Sequence, residues 1–504
     1  MAHDLAPPQV ARGSLIVGRV GLAVAGLAAS SILMHATAPL TGDVSWLITV
    51  CERLLAGQRL YADIFELNPP MSAWLYLPWV WLAHAVGAEP ELVIVLAMVG
   101  FAMAMIGASG RMLASNGLLE SRGAWWIVGM LAFTIYPIVT FAQREHVAVL
   151  AALPILAAIT MRATGREPSW PEAMLAGLCA GLALSIKPHF ALGIALPVLF
   201  AAARRRSIRP LFAAENIVAG AVATLYLATI YLTQPVYFAE MLPIAGRFYV
   251  PNRLPLLILV LAPHAVILAA TMATLWIARR EDALRPLMLV LGLATLGFAG
   301  AYLIQARGWP YHLLPASLLA LLAFGLAAAS SRPYPSLPQR VLALGLAAYL
   351  LAQPFIILAE WRGRNEPLRA ALAPLGSGLK VALISGDLSL ASPVHRMIGA
   401  TLVNRGPSLW IAGNALAMCG GDAAAAPRET CREASAIERT ILREDLTRNP
   451  PDLILAEATH FDWANWAAED PGIAEILSGY EVMDVVRTGR DTIRVLRRRP
   501  EGTS

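Results

Sequence analysis

Apolar residues along this chain come in runs near twenty, separated by short polar stretches, a pattern that a water-soluble core does not need. The runs lie near 14–36, 91–110, 124–141, 147–161, 172–186, 190–203, 211–232, 255–278, 287–304, 313–329 and 341–360, and they predict about eleven membrane-spanning helices. A further apolar segment, 71–86, is short, contains Pro78 and concentrates Trp74, Tyr76, Trp79 and Trp81, residues that favour the headgroup zone. Charge decides whether it spans, because counting it as a span inverts every later loop. If it lies on the surface, fourteen arginines, Arg204, Arg205 and Arg206 among them, fall in cytoplasmic loops against seven basic residues outside. If it spans, six fall inside and fifteen outside. The surface-lying reading puts the N-terminus in the cytoplasm and everything after Glu360 outside.

The first outer loop, 37–90, is then the longest, and it predicts two surface helices. Val44 to Ala56 is amphipathic, with Val44, Leu47, Cys51 and Leu54 on one face, and Gly57 ends it. The second begins at Asn68 as a cap, with Pro69 and Pro70 in the first turn, where a missing amide donor costs nothing. Beyond residue 360 the pattern changes to compact or alternating strand-like runs, KVALISGDL, DLILAEA, YEVMDVV and DTIRVLRR, with helical stretches such as 435–448 between them. The chain therefore reads as an α-helical polytopic membrane domain, 1–360, followed by a small soluble α/β domain, 361–504. No internal repeat and no long low-complexity segment is visible.

Composition agrees, since 57% of the 504 residues are apolar and 14% are charged. The net charge of +5 sits on arginines in short loops, where it fixes topology; it does not form a face that tracks nucleic acid, which is excluded as a partner. The segment before Ser14 has one arginine and no small-residue cleavage site follows, so the first run reads as an uncleaved span. Among 39 basic residues only Lys187 and Lys380 are lysines. Cys419 and Cys431 lie in the outer domain, where a disulfide persists, and their pairing is expected; Cys51 and Cys179 look like ordinary apolar-face residues.

Ionisable groups near bilayer depth are costly and usually serve a site. Asp43, Asp63, Glu66, Arg144, Glu145, His146, Lys187, His189, Arg307 and His312 all fall in outer loops or abut them, so one cavity on that side could hold them. Each also has a structural reading. Asp43 can cap the first surface helix, Glu66 can pair with Arg59 or Arg53, and Lys187 and Arg144 can reach headgroups from helix ends. The histidines share no metal-ligand spacing and read as satisfied interfacial residues, so no metal or other cofactor is expected.

An early Asp in a long first loop, followed by YADIFELNPP, resembles the C-type superfamily of membrane glycosyltransferases, in the branch of protein mannosyltransferases and the lipid A aminoarabinose transferase. The resemblance covers roughly 14–360. It matches Asp43 to the catalytic Asp, and Phe65, Glu66 and Pro69 to an aromatic-Glu-x-x-Pro stretch that also contains Asn68. QREH at 143–146 matches an outer motif after the third span, Lys187 and Pro188 a Lys-Pro after the fifth, and GWPYHLLP, with Tyr311 and His312, a late Tyr-containing loop. Relatives commonly end the third-span motif in Asp where this chain has Glu145, and some carry a basic residue after the Glu where it has Leu67 and Asn68. The resemblance implies an enzyme of the bacterial inner membrane with its C-terminal domain periplasmic. It would transfer a hexosyl or pentosyl group from a polyprenyl-phosphate sugar to a glycolipid or cell-envelope glycan. Asp43 would act as base with Glu66 beside it, and Lys187, Arg144 and Arg307 would bind the donor phosphate. Asp63, Asn68, Glu145, His146, His189, Tyr311 and His312 would line the cavity. The rival is a lipid or glycan transporter, which usually shows paired repeats and charges near the midplane.

Overall fold

The computed structural model describes residues 9–277, 285–329, 357–361, 363–390, 392–419, 428–459 and 461–500, with isolated positions between 338 and 352. The chain divides into two compact units, one of Met1–Thr37, Val95–Ala228 and Leu254–Phe355, the other of Ala38–Ile94, Thr229–Arg253 and Ile356–Ser504.

The first unit is built of apolar helices. Among the described residues, six helices are long and apolar enough to cross a membrane: Gly18–Ala36, Pro90–Ser115, Arg144–Ala163, Ala214–Thr233, Arg285–Gln305 and Pro310–Ala328. Gly18–Ala36 and Ala214–Thr233 are only 11% buried inside the protein despite their hydropathy. Leu22, Leu33, Leu225 and Leu232 project from them largely exposed, a surface that is stable only against lipid. The chain is a multi-pass membrane protein. Arg144–Ala163 has the opposite environment, 94% buried, and packs against Trp170–Ile186, Ala191–Arg205, Arg285–Gln305 and Pro310–Ala328. Small residues allow the closest crossing, for a Cβ on Gly297 would lie 2.2 Å from the Leu192 carbonyl oxygen.

Two expected spans are interrupted, both at proline. The run 124–141 is helical from Arg122 to Met130, continues as a π-turn over Leu131–Ile135, and re-forms as a 3₁₀ turn, Ile138–Thr140, after Pro137. The run 255–278 breaks into Leu256–Leu261 and Pro263–Ile277. The expected span 341–360 lies mostly outside the described residues, as do Arg279, Arg280, Arg332 and Arg340 of the cytoplasmic set.

In the second unit the first surface helix is Gly42–Leu55, capped by Thr41, whose side chain accepts from the Val44 amide at 3.3 Å. Segment 71–86 forms two short helices, Met71–Trp74 and Leu77–Val86. The longer is about 15 Å by the helical rise, half the thickness of a bilayer core. Asn68 does not cap the first of them. Pro70 occupies that position, and the Asn68 amide turns back to Glu66.

The C-terminal part carries a five-stranded sheet, β1 Lys380–Ile384, β2 Thr401–Leu402, β3 Leu453–Glu457, β4 Tyr480–Arg487 and β5 Thr492–Arg498, in the order β2-β1-β3-β5-β4. β1 is parallel to β2 and β3, while β5 and β4 form an antiparallel hairpin on the β3 edge. The four expected strands are present; β2 is too short to show a period. Helix Arg428–Arg448 flanks the sheet, and Cys419 is bonded to Cys431, with Cα atoms 6.6 Å apart. The loop 420–427 between those cysteines lies outside the described residues.

Candidate active site

In the first unit the chemistry-bearing residues gather where several helices end. Arg144, Glu145 and His146 open the Arg144–Ala163 helix. Lys187 ends Trp170–Ile186 in extended backbone, φ −149°, so its side chain leaves the helix line. Arg307 sits between Ala306 and Gly308, both at positive φ, which turn the chain sharply between Arg285–Gln305 and Pro310–Ala328. The Lys187 ammonium donates to Glu145 Oε1 at 2.5 Å and to Gln305 Oε1 at 2.9 Å, and lies 5.9 Å from the Tyr311 ring centre. Glu145 is wholly buried, and its Oε2 has no hydrogen-bond partner among the described residues. Arg144 and Arg307 are nearly buried as well, and the Arg307 guanidinium stands 5.7 Å from the Trp309 ring. His312, stacked edge-on to Tyr311 at 4.5 Å, is within electrostatic range of Lys187, Arg144, His189 and Arg307.

The histidines divide. His146 Nδ1 accepts from the Ala142 amide at 3.2 Å, so its Nε2 carries the proton and donates to the Phe133 carbonyl at 2.7 Å. Both ring nitrogens are satisfied within its own bend of chain, which is a structural role. His189 is pushed down to about 4, by burial first and then by Lys187, and is neutral at physiological pH. Its Nε2 and His312 Nδ1 are buried with no hydrogen-bond partner among the described residues. Among those residues no three His, Cys, Asp or Glu side chains gather as a metal site. Arg144 and Lys187 thus act on the buried Glu145, and Arg144, Lys187 and Arg307 all lie within electrostatic range of the buried His312. A gathering of cationic side chains in a buried setting suits an anion.

The second unit holds Asp43, Asp63, Glu66 and Asn68. Asp43 is half-buried in the first turn of Gly42–Leu55, and the capping hydrogen bond belongs to Thr41. Glu66 is buried; its Oε2 accepts from the Trp46 indole at 2.5 Å, and its Oε1 from the Asn68 amide at 2.8 Å and side chain at 2.7 Å. The carboxylate therefore knots its own loop to the helix that carries Asp43. It pairs with neither Arg59 nor Arg53. Asp63 holds Arg59 instead, accepting from its amide at 2.8 Å and its Nε at 3.2 Å in an exposed turn. Tyr61, at φ 70°, donates to the Asn68 carbonyl at 2.8 Å and completes the loop. A cavity of about 370 Å³ lies within this unit, lined by Leu54, Arg59, Leu60, Ala62, Trp74, Thr233, Gln234, Pro235 and Val236.

Gln305 and Trp46 are the partners that sequence reasoning missed. Gln305 stands directly before the Arg307 turn, and Trp46 is one helical turn after Asp43; an amide or indole at a helix end beside a charged motif was the available signal.

The whole chain is similar in structure to ArnT from Cupriavidus metallidurans bound to undecaprenyl phosphate, with a TM-score of 0.58 at 14% identity over 95% of this chain and 98% of that one. Apo ArnT from the same organism gives 0.56 at 15% identity, with the same coverage. The fold is that of ArnT. The mycobacterial arabinofuranosyltransferase AftD gives a TM-score of 0.47 at 16% identity, over 95% of this chain and 40% of that one. No family model and no curated protein sequence matches the chain.

Proposed function

We propose that this protein is a glycosyltransferase that uses a polyprenyl-phosphate sugar and acts on a lipid-linked or cell-envelope glycan at the outer face of a bacterial inner membrane. The observation that carries the reading is the gathering of Arg144, Lys187 and Arg307 around the buried His312, in a fold that ArnT displays with undecaprenyl phosphate bound. The acceptor hydroxyl attacks the anomeric carbon as the bond to the polyprenyl phosphate breaks, and its proton passes to Asp43. Negative charge grows on the departing phosphate, and the three cations stabilise it. General-base help of this kind contributes on the order of 10²- to 10⁴-fold. Glu66 ties its own loop to the helix that bears Asp43, and Lys187 exchanges Glu145 for the donor phosphate when the lipid enters.

The arrangement in the membrane is part of the same proposal: about eleven spans, residues 1–360 as the membrane domain, the N-terminus in the cytoplasm and residues 361–504 outside. A reporter fused at Ser504 is expected to be active only outside the cytoplasm; activity only inside overturns this topology. The reaction is tested by incubating purified protein with labelled polyprenyl-phosphate hexoses and pentoses and an envelope extract, then analysing the products by mass spectrometry. Incorporated label supports the enzyme. Donor moved across a vesicle membrane without transfer would make the protein a transporter.

A further inference from the structure

The first surface helix does not stand alone: within the second unit, the C-terminal residues grip it along its whole length. The Trp361 indole donates to the Pro39 carbonyl at 2.8 Å, just before the helix begins. His395 Nε2 meets Thr49 Oγ1 at 3.2 Å. The Arg396 guanidinium forks onto Glu52 at 2.6 and 3.0 Å and onto Glu91 at 2.5 Å, and it is almost buried while doing so. Past these, Arg53 donates to the Asn404 and Leu402 carbonyls at 2.8 and 2.5 Å, and the Phe65 amide donates to the Arg405 carbonyl at 2.9 Å.

The tightest contact is at the residue before Asp43. A Cβ on Gly42 would lie 2.9 Å from Ser389 Cα and 2.5 Å from Leu388 Cδ1, so the helix start rests on the backbone of the turn Leu388–Leu390. That turn is itself fixed. It follows β1 at the carboxyl end of the parallel strands; Asp387 Oδ1 accepts from the Ser389 amide at 2.8 Å, and Arg364 holds the other Asp387 oxygen at 2.9 Å. Ser385 Oγ accepts from the Asp387 amide at 2.9 Å and donates to Glu457 at the end of β3. A continuous chain of contacts runs from the sheet through a rigid turn to Gly42 and Asp43.

We propose that the C-terminal α/β region positions the Asp43 helix, with Gly42, Leu388 and Arg396 as positioning residues for a base on that helix. The proposal rests on the transferase reading for what Asp43 does, and on contacts within one unit for how it is held. Its physical content is that a shift of about an ångström at a reacting group costs on the order of 10²-fold in rate. Gly42→Ala displaces the position next to Asp43, because Leu388 Cδ1 at 2.5 Å can rotate away but Ser389 Cα at 2.9 Å is backbone and cannot.

The test uses full-length protein and two readouts, amide hydrogen exchange over residues 42–55 and steady-state transfer. Gly42→Ala is expected to exchange faster over the first turn and to lose about 10- to 100-fold in kcat, with the KM for donor lipid within about twofold. Leu388→Ala in the Gly42→Ala background, which removes the side-chain half of the clash, is expected to recover part of that loss. Arg396→Lys keeps charge without the fork and is expected to loosen the helix less than Arg396→Leu. Wild-type exchange and kcat in Gly42→Ala overturn the proposal, and so does faster exchange with unchanged kcat. A wild-type protein that transfers no sugar removes the enzymatic reading and with it the positioning of a base. In that event faster exchange in Gly42→Ala still assigns the grip on this helix to the C-terminal region, and unchanged exchange overturns that as well.

Discussion

Glu145 and Glu66 are both buried carboxylates, and the molecule satisfies them by opposite means. Glu145 is neutralised by a cation, Lys187 at 2.5 Å, and leaves one oxygen without a hydrogen bond among the described residues. Glu66 receives neutral donors, the Trp46 indole and two N–H groups of Asn68, which together occupy both oxygens. A charge pair strands a buried charge when one partner goes, whereas a carboxylate held by neutral donors keeps most of its contacts as an amide. In the proposed mechanism the first arrangement is exchangeable, with an incoming phosphate replacing Glu145 as the partner of Lys187. The second is a knot that fixes a loop.

The largest effect should follow Lys187→Ala. It leaves Glu145 buried without its nearest counter-ion and is expected to cost about 3–5 kcal/mol in stability, together with weaker donor binding and turnover. Adding Glu145→Gln should restore most of the stability, read by thermal unfolding in detergent, but not donor binding, read by titration with polyprenyl phosphate. If the double variant binds donor like wild type, Lys187 serves only to neutralise Glu145. Glu66→Gln is expected to cost less, about 1–3 kcal/mol, with turnover falling through loop disorder while donor affinity holds. A Glu66→Gln loss equal to that of Lys187→Ala would erase the distinction between the two carboxylates.

A third solution appears at Glu438, buried beside the start of helix Trp410–Cys419, where it accepts from the Ala412 amide at 2.7 Å. Burial pushes its carboxyl up from 4.5 to about 8, against the lowering effect of the backbone amides. The folded protein therefore keeps a proton that the unfolded chain releases near its ordinary value. Its contribution is fully present below about 4.5 and is lost as pH rises toward about 8. Thermal unfolding of the full-length protein across that range should show stability falling with pH, and Glu438→Gln should flatten the slope. An unchanged slope would mean that this carboxyl ionises freely in place.

The helical membrane character was legible because lipid imposes a length on apolar runs, and the short helices Met71–Trp74 and Leu77–Val86 follow the interruption that Pro78 and the aromatic cluster announced. The breaks at Pro137 and Pro263 were less visible, since proline interrupts some membrane helices and only kinks others. The sheet was legible from alternation at β4 and β5, and β2 was not, because two residues carry no period. At the candidate site, residue type marked Glu145, Lys187 and Glu66, but their partners come from distant stretches of chain: Gln305 is 118 residues from Lys187. The same holds for Arg396, whose partner Glu52 is 344 residues away. Nothing local to VCERLL or VHRMIG announces such a contact.

The most direct test of the central claim is single-turnover sugar transfer by purified wild-type protein and by Asp43→Asn, with a labelled polyprenyl-phosphate sugar and its acceptor. Thr41 supplies the cap in both proteins, so the substitution should leave folding and donor binding intact. The account predicts transfer by wild type and a loss on the order of 10²- to 10⁴-fold in the variant. Asp43→Asn turning over near the wild-type rate would contradict it and move the search for a base to Glu66 or Glu145.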